Sequence, residues 1–463
     1  MEESTTQLSP RFEKKMDLLT FIVKFCHFAF VGPADYIAET PWKRRCYRLV
    51  QLTLIGSYIP AFIGIVLGLY TFWGDIEVIT NILVTGCPLF TGAFIGVYCF
   101  IYWDEFKLFI DSIESKSCFS HYFVHSKKNL LEIIEDTKLK GKLLTKFVAT
   151  VEFIGLASFF FKPFLLEYLE GSNINLTEEE QIMEQWKKMI FIIWLPTDPR
   201  QPQIFYSVYV CQFISCLAFY SHTATIITFI FVSTRYVASQ FTIVTEALKE
   251  VDVLTSIPNY RTETDTKLLG NKFETEQKNQ MESRTYLEDF TESYVNENIL
   301  EDEENNSKEV HDYIRECIKI HQSSIRFAMQ LNQLLSPIIS FLLVDLTIVI
   351  VTAMFQLAVG DGIQNDFPYL GVAIVALTDL FGLCWHGQEL INESQAVEFT
   401  AYNIHWYNHS SNVKYLVRFI ILRAQKAVEI KGSGFINLSI NTYSAVLNFC
   451  YQWFTLLLKL HDD

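Results

Sequence analysis

Seven polar side chains, Asn437, Asn441, Ser444, Asn448, Gln452, Thr455 and Lys459, recur at steps of four and three through a stretch from Phe435 to Leu460 otherwise built of Ile, Leu, Val, Phe and Trp. On a helix that spacing draws one narrow polar stripe. Amides and hydroxyls of this kind solvate an ion or a water column, and they also hydrogen-bond from one membrane helix to the next. Both readings, a pore-lining helix and a glued helix, are open at this point.

Three further groups invite a chemical reading: Glu152, Asp345 and Asp379, each set in a long apolar run. An ionisable side chain in such a run is costly unless it meets protein or water, so each is a functional candidate as well as a buried group bonded to a neighbouring helix. His386 and Glu389 share one face but read as interfacial rather than as a metal pair. The chain shows no glycine-rich phosphate loop, no paired metal-ligand spacing and no nucleophile elbow, so nothing supports an enzyme, and no cofactor is implied. No internal repeat is evident.

These residues need membrane helices to position them. Of the 463 residues 50% are hydrophobic and 15% aromatic, which marks an integral membrane protein. Runs long enough to cross a core of about 30 Å are expected at Tyr47 to Phe72, Glu77 to Trp103, Leu143 to Leu166, Ile204 to Val232, Leu334 to Val359, Pro368 to Leu390 and Phe435 to Leu458. The expected fold class is therefore an all-α integral membrane protein with seven transmembrane helices. Lys43, Arg44, Arg45 and Arg48 crowd the first span, whereas the next loop holds Asp75 and Glu77 without a base. Excess Lys and Arg marks the cytoplasmic side, so an inverted topology is expected, with the amino terminus cytoplasmic and the carboxyl terminus outside. No signal peptide is expected before the first span. In that topology the sequon at Asn175 lies outside and is the expected glycosylation site.

The expected organisation is a cytoplasmic segment at 1–46, the first four spans with their loops in 47–256, an acidic disordered cytoplasmic insertion at 257–307, spans five and six in 308–392, a cytoplasmic anchor or assembly helix within 393–434, and the final helix with a short extracellular tail at 435–463. The insertion accounts for much of the net charge of −15, since 285–307 carries eight acids and no Lys or Arg. The ten cysteines are scattered, many of them inside spans, with no paired loop spacing and hence no disulfide framework or zinc site. Phe153, Phe159, Phe160, Phe161 and Phe164 cluster on the third span, and Phe205, Tyr206, Tyr209 and Phe213 on the fourth. Such rings either pack a core or form a greasy pocket for a small volatile or lipid-like molecule, with Ser158 and the Tyr hydroxyls as polar handles.

The ending then becomes informative. Tyr451, Phe454, Thr455, Leu456 and Leu457 match a Tyr-x-x-Phe-Thr-Leu-Leu-like run, and Cys384, Trp385, His386 and Gly387 match a Cys-aromatic-x-Gly stretch in the sixth span. In these features and in its seven spans the chain resembles the insect odorant receptor family. The resemblance implies an odour-binding subunit of a ligand-gated, non-selective cation channel, joined to the odorant receptor co-receptor in a heterotetramer in the plasma membrane of olfactory sensory neuron dendrites. Its implied partners are that co-receptor, a small volatile ligand and membrane lipid, with no nucleic acid.

The resemblance also implies that the last helix of each subunit lines the central pore. The pore residues would then include Asn448, Gln452, Thr455 and Lys459, with a hydrophobic gate at Leu456 and Leu460. Lys459 departs from expectation, because a cation at the mouth of a cation pore opposes conduction unless it turns away or is diluted by neutral partners. The implied odour pocket, between the second, third, fourth and sixth spans, carries over to Thr85, Leu89, Gly155, Ser158, Phe159, Tyr209, Phe213, Leu377 and Phe381. The tail, Leu458 to Asp463, lacks the Gln-Leu-Lys ending by which the co-receptor is recognised, so the chain reads as a ligand-tuning subunit. A gustatory-type receptor channel is the alternative. Its Thr-Tyr is present at Thr442 and Tyr443, but the Gln-Phe pair that should follow is absent. A G-protein-coupled seven-helix receptor would need an outside amino terminus, and its Asp-Arg-Tyr and Asn-Pro-x-x-Tyr signatures are missing. A transporter would need repeat symmetry or matched broken helices, and neither is visible.

Overall fold

The computed structural model describes residues 20–33, 40–115, 127–170, 182, 185, 189–191, 198, 200–256, 284–360 and 363–462. The chain is almost wholly helical: α1 (Thr20–Phe28), α2 (Pro41–Gly56), α3 (Tyr58–Thr71), α4 (Ile76–Ser115), α5 (Lys127–Glu170), α6 (Pro202–Ser256), α7 (Arg284–Val359), α8 (Ile363–Asn403), α9 (Ser411–Ala424) and α10 (Ile440–Asp462). A two-residue ribbon, β1 (Lys431–Gly432) against β2 (Ile436–Asn437), precedes α10.

Five stretches among the described residues are long and apolar enough to cross a membrane: Pro41–Thr71, Ile76–Ser112, Pro202–Asp252, Lys308–Val359 and Phe367–Asn403. They contain the predicted spans two, four, five and six, and span one except its last residue, Phe72. The predicted third span lies within α5, and the seventh falls largely on α10. At 1.5 Å per residue the 55 residues of α6 reach about 80 Å, far beyond the length needed to cross a core of about 30 Å.

Local chemistry explains the breaks. Pro60 has no N–H to give the carbonyl four residues back, and the first predicted span is accordingly divided at Ser57, whose hydroxyl caps Leu54 O at 2.6 Å. Tyr102 leaves helical geometry (φ −101°, ψ 17°), which separates the apolar part of α4 from its polar extension. The predicted last span loses its first turn, because Ser433 (φ 49°) and Gly434 (φ 79°) form a left-handed turn and Asn437 sits in β2. The acidic stretch expected to be disordered is helical from Arg284 onward, where α7 begins. Residues 284–336 contain neither Gly nor Pro, so nothing interrupts propagation back from the buried part of α7. The rest of that insertion, 257–283, lies outside the described residues.

Packing follows the apolar faces. α8 lies along α6, α7 along α4, and α5 against α6 and α8. Polar cross-ties fix the register within this core. Gln356 donates to Glu77 O at 2.7 Å and Thr80 Oγ1 at 2.8 Å, Asn81 to Tyr369 Oη at 2.6 Å, and Tyr98 to Leu334 O at 3.0 Å. At the far end Tyr313 donates to Ala247 O at 3.0 Å and Glu250 Oε2 at 2.9 Å, while Arg235 meets Glu389 at 2.6 Å. α9 buries Val413, Val417, Ile420 and Ala424 against this same end.

Candidate functional site

A cavity opens where α4, α5, α6, α7 and α8 converge, and residues of all five helices line it. α4 contributes Thr85 and Leu89, α5 Glu152, α6 Phe219, Tyr220, Thr223 and Ile227, α7 Asp345 and Val349, and α8 Val372 and Asp379. The close approach of three helices is set at Gly155, where a Cβ would stand 3.0 Å from Val375 and 3.1 Å from the Tyr220 hydroxyl.

Ile190 and Phe191, from the segment linking α5 to α6, roof the cavity and are buried along with Met189. Gln212 holds them. Its carbonyl oxygen accepts from the N–H of Ile190 at 3.1 Å and of Phe191 at 3.5 Å, and its amide donates to Phe191 O at 2.9 Å. A loop with an apolar run is thereby folded inward with its backbone groups satisfied.

The lining is mostly apolar but holds three acids. Glu152, Asp345 and Asp379 share that lining with Thr223, whose hydroxyl donates to Phe219 O at 3.0 Å. Glu152 Oε1 and Asp345 Oδ1 are buried without a hydrogen-bond partner. Among the described lining residues none is Lys, Arg or His. The sequence singled out all three acids, and the fold brings all three to one space.

The pocket residues expected from the sequence divide. Thr85 and Leu89 line the cavity, although the Thr85 hydroxyl turns back to Asn81 O at 3.2 Å and Ile82 O at 3.3 Å. Gly155 stands behind Tyr220, and the Ser158 hydroxyl donates to Gly155 O at 2.7 Å. Tyr209 and Phe213 pack on Phe160 at ring separations of 6.3 and 5.0 Å, with the Tyr209 hydroxyl donating to Phe160 O at 2.8 Å. They form a seam between α5 and α6, not cavity wall. Leu377 is half-buried in the core, and Phe381 faces the last helix, its ring 5.6 Å from Tyr443. The side chain of Phe159 and the whole of Asn175 lie outside the described residues. Missed were Tyr220, Thr223 and the roof, for which a lone Gln212 in an apolar span was the available signal.

The second site is the face of α10. Asn441, Ser444, Asn448, Gln452, Thr455 and Lys459 are all exposed, as are Leu456 and Leu460. The opposite face, with Tyr443, Val446, Leu447, Cys450 and Leu457, packs on the bundle, and the Cys450 thiol reaches Thr347 O at 3.7 Å. The stripe therefore points away from its own subunit. Within this chain its side chains do not glue α10 to its neighbours, and the glue role is taken by the other face.

A protein-family model described as 7tm Odorant receptor matches residues 156–451. The odorant receptor coreceptor of Anopheles gambiae is 27% identical over 148 residues, 32% of this chain and 31% of that protein. Odorant receptor 67c of Drosophila melanogaster is 28% identical over 161 residues, 34% of this chain and 39% of that protein. The matched stretches thus span about a third of the length of these curated relatives. The solved insect olfactory receptor OR5 from Machilis hrabei, in complex with eugenol, shares the fold at a TM-score of 0.69 and 11% identity, over 96% of this chain and 99% of that one.

Proposed function

The chain belongs to the insect odorant receptor family, and from that premise we propose that it is the odour-binding subunit of a ligand-gated, non-selective cation channel in the plasma membrane. The observation that carries this reading is the stripe on α10, whose members from Asn441 to Lys459 are turned away from their own bundle. Polar groups at membrane depth are costly against lipid, so the stripe requires a facing partner or water. A ring of subunits about a central axis supplies both. In the proposed assembly α10 lines the pore, with Asn448, Gln452 and Thr455 along the path and Leu456 and Leu460 as the apolar constriction.

The cavity is the proposed odour site. It is roofed by Ile190 and Phe191, walled mostly by aromatic and aliphatic groups and bounded by both α7 and α8, the helices on which α10 packs. A ligand that wedges between these walls biases the seating of α10, which is how binding energy would reach the gate. The proposed assembly partner is the odorant receptor co-receptor in a heterotetramer with an inverted topology. Whole-cell recording tests the reading. Cells expressing this chain with the co-receptor, challenged with small volatiles, should show fast cation current that is absent without this chain and does not depend on G-protein signalling. Current that required G proteins would overturn it.

A further inference from the structure

Charge in the cavity is unbalanced. Glu152, Asp345 and Asp379 are buried, they line one space, and no base among the described residues lines it with them. A buried carboxyl group is costly unless it is paired and hydrogen-bonded. Glu152 and Asp379 face the same space, and Glu152 Oε1 and Asp345 Oδ1 are buried without a hydrogen-bond partner. Such a pair offers free acceptor lone pairs to whatever enters, and it ionises fully only against an incoming cation. Around it the wall is apolar, with Leu89, Phe191, Phe219 and Ile227 shaped for a hydrocarbon body.

We propose that the ligand of this cavity is a small organic amine, bound as its ammonium ion by Glu152 and Asp379 with its hydrocarbon tail against Leu89, Phe191, Phe219 and Ile227. The assignment rests on the reading of the cavity as an odour site and names the chemical class that site takes. An ammonium brings several donors and one positive charge to a place rich in acceptors and, among the described residues, without a cation. An alcohol of the same shape brings one donor and no charge. Charge-assisted hydrogen bonds in a dry site are roughly twice as strong as neutral ones, which separates the two classes by about tenfold in affinity. Tyr220 and Thr223 are placed beside the pair, so the ammonium end is bounded by oxygen atoms on several sides.

Binding is measured first without any current, as thermal stabilisation of the purified receptor, assembled with the co-receptor, in lipid nanodiscs. The probes are butylamine, hexylamine and phenethylamine, each against its matched alcohol. The expected result is that at least one amine stabilises the receptor at a concentration about tenfold below that needed by its alcohol. In the variant carrying Glu152→Gln and Asp379→Asn that preference should vanish. Equal or better binding of every alcohol overturns the proposal, as does stabilisation by none of the amines, and neither result needs the variant to fold. An amine preference that survives both substitutions overturns the assignment to this pair. Stabilisation by amines without evoked current would leave the amine assignment standing and overturn the channel reading instead.

Discussion

Gln212 on α6 and Phe191 in the α5–α6 link are joined at the backbone: the glutamine amide donates to Phe191 O at 2.9 Å while its carbonyl oxygen accepts from Ile190 N–H at 3.1 Å and Phe191 N–H at 3.5 Å. One side chain thus satisfies three main-chain groups in a buried place. Gln212→Leu keeps the volume but removes every bond, and each stranded buried group costs about 1–3 kcal/mol. The roof should lift, so ligand potency should fall about tenfold or more while peak current at saturation survives. Dose–response curves check this, and an unchanged midpoint would mean that the roof does not retain ligand.

Phe191 and Tyr209 make a sharper comparison. Phe191 lines the cavity, whereas Tyr209 ties α6 to Phe160 outside it. Phe191→Ala should therefore reorder the potencies of a ligand panel. Tyr209→Phe should lose one hydrogen bond, about 0.5–1.5 kcal/mol of stability, and keep the potency order. Thermal unfolding alongside the ligand panel separates the two effects. A reordered panel in Tyr209→Phe would return the pocket to the aromatic seam.

Gly387 sets how closely α8 approaches the chain just before α10. A Cβ there would collide with the Leu438 carbonyl oxygen and side chain, and a backbone carbonyl has little freedom to yield. Gly387→Ala should cost about 1–3 kcal/mol by overpacking and reduce mature receptor at the cell surface. Gly56→Ala, at a position with nothing within 4 Å, serves as the control and should be neutral or stabilising by up to about 1 kcal/mol. Surface biotinylation of the two variants reads the difference.

Much of this was legible because membrane helices write their environment in hydropathy. The long apolar runs, the stripe on α10 and the three intramembrane acids were all visible without coordinates. Register was not. Sequence places a ring on a helix but not on the neighbour it meets, so Tyr209 and Phe213, expected in the pocket, instead pack on Phe160 in a seam. The roof was hidden for a different reason: Met189, Ile190 and Phe191 lie in a link between helices, where an apolar run has no period to read. The Gly432-Ser433-Gly434 turn was in plain view, but the ribbon it closes takes in Ile436 and Asn437, which the predicted span had claimed for its first turn.

Lys459 tests the proposed pore directly. It is exposed on the same face as Gln452 and Thr455, one turn beyond Thr455, so in a ring of subunits its ammonium would lie toward the axis. Two unit charges 4 Å apart in water repel by about 1 kcal/mol, and a wider, screened mouth lowers that figure. Lys459→Gln should then raise cation current by about two- to fivefold at low ionic strength, with the gain shrinking as salt screens the charge. Ligand rank order should stay as it is, because the substitution lies away from the cavity. Lys459→Glu should extend the trend and favour cations over anions more strongly. Single-channel recording across a salt series decides the matter: conductance that ignores all three side chains would remove this face of α10 from the ion path.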